Sequence, residues 1–203
     1  MGNEPLEGDQ YWVPKKDGES LFKDKGSKFI GLCYQVEAID DINKKLSLVK
    51  KKYHDARHYC YGYRINPLQP LTRANDDGEP SNSAGTPIYN QIISQNRWNT
   101  LVVVVRYFGG TKLGVSGLIN AYKNAAQSAL FQSEKLEQFL WISIEIQFPY
   151  ALINDVMRLQ KEYSAKIEEE KMGEQAGYVF AVRKGDFQLF KDKLSVFHLI
   201  KFV

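Results

Sequence analysis

The stretch from Thr100 to Leu130, TLVVVVRYFGGTKLGVSGLINAYKNAAQSAL, constrains the fold more than any other part of the chain. Its Leu101–Val105 run holds five apolar residues, four of them β-branched. With no polar alternation, such a run predicts a strand buried on both faces. Gly109-Gly110 break that strand after Arg106, Tyr107 and Phe108, and Ser116 stands where a helix N-cap would. Leu118, Tyr122, Ala125, Ala126 and Ala129 then recur at helical spacing, a narrow stripe of mostly small side chains. Small side chains let a helix lie close on a sheet, so the reading is strand, glycine loop, close-packed helix.

A glycine-rich turn that feeds a helix N-terminus can gather backbone N–H groups into an anion site. Arg106 before the turn and Lys112 inside it would add positive charge, which makes Arg106, Gly109, Gly110, Lys112 and Gly114 candidate ligand residues. The alternative is that the glycines only turn the chain and admit the helix. Known nucleotide motifs fail: Gly109 and Gly114 have P-loop spacing, but Val115-Ser116 follow where Lys and Ser or Thr should stand. No G-x-G-x-x-G is present for a dinucleotide either.

RYFGGTKLGVSGL, from Arg106 to Leu118, resembles the signature of the YigZ/IMPACT family: Arg, two aromatics, Gly-Gly, then Leu-Gly and Gly-Leu at fixed offsets. Two upstream stretches agree with it, DARHYCYGY at Asp55–Tyr63 and DDGEPSNSAGTPI at Asp76–Ile88. The resemblance implies an N-terminal mixed α/β domain like a ribosomal-protein domain. It further implies a second domain similar to the last domain of elongation factor G, in the arrangement of the family's bacterial type. The family's eukaryotic branch regulates the starvation response of translation, and the three motifs are expected to converge on one face.

Away from the motifs the chain reads as ordinary globular protein, with 43% hydrophobic and 25% charged residues among 203. No apolar run approaches the roughly 20 residues of a membrane span, and the acidic, polar N-terminus is unlike a secretory signal. Cys33 and Cys60 are expected as reduced thiols in a cytosol. Net charge is +3, and all of the excess falls in residues 1–138, which hold 18 Lys+Arg against 15 Asp+Glu. Residues 139–203 hold nine of each.

In chain order, residues 1–10 are expected as an unstructured lead-in. Tyr11–Val13 could start a strand, and Ser27–Val36 forms a strand containing Gly31. A helix follows, capped by Asp40 or Asp41, with Ile42, Leu46 and Val49 as its apolar stripe. Its lysines, Lys44, Lys45, Lys50, Lys51 and Lys52, read as a solvated face, with an RNA-phosphate patch as the sharper alternative. Arg57–Ile65 is a strand with His58, Cys60 and Gly62 on one side and Arg57, Tyr59, Tyr61 and Tyr63 on the other. That tyrosine row is read as core rather than as a base-stacking surface. Asn66–Arg73 is a proline-bearing connection, Asn75–Gly85 a polar surface loop, and Thr86-Pro87 the start of a short helix.

Phe131–Phe139 ends the long helix and marks the domain boundary. Beyond it Ile142, Ile144, Ile146 and Phe148 alternate with polar residues as a half-buried strand. Pro149 opens a helix with the stripe Leu152, Ile153, Val156, Leu159 and Tyr163. A strand pair turns at Gly173, a helix runs through Phe187, Phe190 and Leu194, and a last strand lies near Leu199–Val203. The order βαββαβ is that of a ferredoxin-like sandwich. The fold class is therefore α+β, with an N-terminal domain over 1–135 and a ferredoxin-like domain over 139–203.

Metal-binding candidates are His58, Cys60 and Asp77, with His54, Asp76 and Glu79 nearby in sequence. His54 and His58 have helical ligand spacing, but their segment reads as loop into strand. A Cys60–His58 nucleophile is disfavoured because side chains two apart on a strand lie about 6–7 Å apart, and no G-x-S-x-G supports a serine triad. Arg57, His58, Asp76, Asp77 and Glu79, from the two upstream motifs, join the glycine-turn residues as the candidate ligand site; the alternative is an internal network in which Asp77 or Glu79 neutralises Arg106 or Arg57 and holds the loops in place. The reading is a non-enzymatic, cytoplasmic RNA- or ribosome-associated binding protein without a cofactor. A metal-assisted hydrolase and a protein–protein module of the stress response are the alternatives. The sequence leaves the oligomeric state open.

Overall fold

The computed structural model describes residues 6–203, which form two compact units. One comprises Leu6 and Tyr11–Gln138; the other comprises Glu7–Gln10 and Phe139–Val203. The expected lead-in falls partly on residues 1–5, which lie outside the described residues, and Gln10 already opens the first strand. Among the described residues no helix is long and apolar enough to cross a membrane.

The first unit is built on a five-stranded antiparallel sheet in the order β2-β3-β6-β4-β5. Its strands are β2 (Gly18–Asp24), β3 (Ser27–Gln35), β4 (His58–Ile65), β5 (Leu71–Asn75) and β6 (Thr100–Tyr107). The all-apolar run lies on the central strand β6, where Leu101–Val105 are fully buried. Both faces are covered, as the run predicted. Val102 and Val104 pack toward α2 (Gly85–Ser94) and α3 (Gly114–Gln132), while Leu101, Val103 and Val105 join Ile42 and Val49 of α1 (Ile39–Lys52).

The small-residue stripe of α3 is buried throughout, and it meets a small residue on the sheet. A Cβ built on Gly31 would stand 2.4 Å from the Ala125 carbonyl oxygen, so the helix can approach only because Gly31 has none. Tyr59 and Tyr63 sit in the α1-side core, and the Tyr61 and Tyr63 rings stack at 6.4 Å. Of the α1 lysines, Lys45 reaches Asp17 at 3.2 Å and Lys52 reaches Glu19 at 3.4 Å.

Several local expectations are corrected. Asp41 does not cap α1 as its N-cap. Ala38 holds that position, and the Asp41 carboxylate reaches back to the N–H groups of Glu37 and Ala38, each at 3.2 Å. Helix α2 starts at Gly85 rather than Thr86, and α3 at Gly114 with Leu113 before it, which leaves Ser116 exposed in the first turn. The proline-bearing connection ends in strand β5, and Gly18–Asp24 forms β2. Both are edge strands whose exposed positions carry no strict apolar alternation to betray them. The boundary segment contains β7 (Lys135–Phe139), which forms a two-stranded sheet with β1 (Gln10–Pro14).

Arg97, unremarked in the sequence, is fully buried. Its guanidinium donates to the carbonyls of Val13 at 2.9 Å, Leu130 at 3.0 Å, and Glu134, thereby closing the carbonyl-rich end of α3.

The second unit follows the βαββαβ expectation. Its elements are β8 (Trp141–Phe148), a 3₁₀ turn (Tyr150–Leu152), α4 (Ile153–Glu162), β9 (Lys166–Met172), β10 (Ala176–Arg183), α5 (Phe187–Ser195) and β11 (Lys201–Phe202). The sheet order β11-β8-β10-β9 is ferredoxin-like. Ile144, Ile146, Phe148, Phe180 and Phe190 form its separate core.

Candidate functional site

The antiparallel register of β4 and β6 sets His58 beside Arg106, so the first and third motifs are neighbours through backbone pairing alone. The second motif is folded against them by its own carboxylates. Asp76 accepts from the N–H groups of Ala84 and Gly85 at 2.9 and 2.8 Å through one oxygen, and from Asn82 at 2.9 Å through the other. It supplies the cap of α2 from eight residues upstream of Ala84. Asp77, in the left-handed region at φ 39°, accepts the Tyr59 N–H at 2.7 Å through its carboxylate. Its carbonyl lies 2.9 Å from His58 Nδ1.

Glu79 enters the interior. Its Oε1 accepts from Arg106 Nη1 at 2.6 Å and from the Tyr122 hydroxyl at 2.8 Å. The Arg106 and Glu79 side chains are only 8% and 4% exposed, a buried ion pair with an added neutral donor. Cys60 Sγ lies 3.3 Å from the Tyr122 hydroxyl and 3.0 Å from the Asp76 carbonyl. The lone tyrosine in the alanine stripe of α3 thus ties together the DARHYC and DDGEP segments. Nothing in the sequence beyond that single polar tip on an apolar stripe pointed to it.

The glycine turn has a packing job. A Cβ on Gly109 would fall 1.9 Å from the Gly26 carbonyl carbon in the β2–β3 turn, and the Gly109 N–H donates to Ser27 Oγ at 3.1 Å. Gly110 and Gly114 take positive φ, 86° and 72°. Lys112 is exposed on the same loop.

Beside these contacts lies a cavity of about 390 Å³ lined by Asp55, Ala56, Arg57, His58, Arg106, Tyr107 and Phe108. Arg57 is exposed at it, and Phe108 is 58% exposed. The Arg106 guanidinium lies 5.5 Å from the Phe29 ring and 5.6 Å from the Phe108 ring, and its Nε is buried without a hydrogen-bond partner. Tyr107 donates to Asp55 at 2.7 Å. That bond holds the Asp55 carboxyl below its ordinary range and pushes the Tyr107 hydroxyl up to about 12. Phe29, Ser27 and Phe108 belong to the site without having been singled out from sequence.

For a metal, the arrangement offers little convergence. His58 and Cys60 each face a main-chain carbonyl of the 76–77 turn, and the Asp77 carboxylate is turned to the Tyr59 N–H. Among the described residues no three His, Cys, Asp or Glu side chains gather where they could hold an ion. Burial pushes the Cys33 thiol up to about 12 and raises that of Cys60 as well, the opposite of an activated nucleophile.

The model of the Impact N-terminal domain matches residues 25–130, which contain all three motifs. The IMPACT family member YvyE of Bacillus subtilis is 28% identical over 185 residues, covering 91% of this chain and 85% of its own. An IMPACT family member of Thermus thermophilus is 38% identical over 128 residues, 63% of this chain and 68% of its own. The crystal structure of a hypothetical protein shares the fold at a TM-score of 0.69 and 23% identity, covering 96% of this chain and 97% of that one.

Proposed function

The chain belongs to the IMPACT family, and on that premise we propose that it is a non-enzymatic binding protein of translation, engaging RNA or the ribosome through the unit that carries the three motifs. One observation carries the reading: the first and third motifs line a cavity that holds two arginines, Arg57 and Arg106, against one carboxylate, Asp55. Asp76, Asp77 and Glu79 are occupied by the frame, Glu79 by Arg106 itself, and Asp55 is hydrogen-bonded to Tyr107, whereas Arg57 is exposed. A phosphate suits such a donor. The family's eukaryotic branch, which acts on translation, and the basic excess in residues 1–138 support the same reading.

The test is a titration of structured RNA, and of ribosomes, at two salt concentrations with wild type and Arg57→Ala. Binding is expected to weaken with salt, and the substitution to lower the log–log slope by about one. No binding at low salt, or binding indifferent both to salt and to Arg57→Ala, removes the claim. Capture of a partner that survives ribonuclease would replace RNA with protein.

A further inference from the structure

We propose that the Arg57–Phe108 cavity takes one nucleotide of single-stranded RNA, its base stacked on Phe108 and its phosphate on Arg57. The inference rests on the RNA reading above and names the form of RNA that this site selects.

Phe108 carries the argument. It follows β6 directly and shows more than half of its surface to solvent, although the neighbouring Gly109 is pinned against Gly26 and Ser27. An apolar ring exposed on a loop anchored this closely adds little to the core. The ring stands beside the ion-paired Arg106 guanidinium, and the exposed Arg57 lines the same cavity, so an aromatic face and a cation are offered at one place. That pair matches the two halves of a nucleotide, a π-face and a phosphate, and it is the combination by which single strands are bound.

Two further features narrow the occupant. The cavity, about 390 Å³, is of small-ligand size and does not accommodate a duplex. Inside a duplex a base also has both faces covered by its neighbours, so only a base outside that stack can lie on Phe108. The lining also carries the Asp55 carboxylate, whose charge opposes that of Arg57. Tyr107 holds that carboxylate in place through its hydroxyl.

The experiment uses the full chain with a labelled oligouridine and a blunt RNA duplex of equal length, at low salt. Wild type is expected to prefer the single strand. Phe108→Ala is expected to weaken single-strand binding about tenfold, the size of one base–aromatic stack, leaving the salt slope and the duplex affinity unchanged. Phe108→Trp should restore single-strand binding, with quenching of added indole emission on titration. Equal affinity for the two RNAs, or a Phe108→Ala effect within twofold, overturns the nucleotide site while leaving RNA binding intact. Absence of binding to either RNA overturns both this inference and the reading beneath it.

Discussion

Burying a guanidinium costs several kcal/mol unless an anion comes with it, and Glu79 is the reason Arg106 can sit at the end of the central strand. The pair was legible in the sequence only as a set of candidates, Asp77 or Glu79 against Arg106 or Arg57. The outcome depended on turn geometry: Asp77 at positive φ and Asp76 on the α2 cap leave Glu79 as the one that points inward. Glu79→Ala strands the arginine and is expected to cost about 3–5 kcal/mol. Glu79→Gln, which keeps an acceptor, should cost less. Urea unfolding decides the matter. A loss below about 1 kcal/mol for Glu79→Ala would mean that the pair does not hold the motifs together.

At the scale of elements, the glycine turn was read as a candidate anion cradle, and its packing role emerged only in three dimensions. Gly109 meets the backbone of Gly26, a residue 83 positions earlier, and no local signal announces such a contact. Gly110 has open space around its Cβ position and only its φ of 86° to set against a side chain. Gly109→Ala is therefore expected to destabilise by more than Gly110→Ala, about 3 kcal/mol or above against about 1. Paired thermal melts read the order directly, and the reverse order would refute the close approach. The start of α2 differs from the Thr86-Pro87 expectation for a related reason. Asp76 caps α2 from a distant turn, so the N-terminus lies where the tertiary cap arrives and not where Thr86-Pro87 suggest.

The first unit has a core on each face of its sheet and the second unit a core of its own, and the Arg57–Phe108 cavity belongs to the first. A core cut in the ferredoxin-like unit should thus separate stability from binding. Phe180→Ala, at a fully buried position, is expected to cost about 3–5 kcal/mol. Below its lowered melting point it should bind RNA as wild type does, and a parallel loss of affinity would bring the second unit into the function. The sequence by itself determined the buried central strand, the alanine-striped helix, the βαββαβ order and the family, because each is written in short-range periodicity or contiguous motifs. Only the tertiary structure decided which acid neutralises Arg106, why Gly109 cannot carry a side chain, and that Phe108 stands exposed beside a cation. Those facts depend on which backbone lies opposite across the sheet, and strand pairing joins residues that the chain keeps far apart.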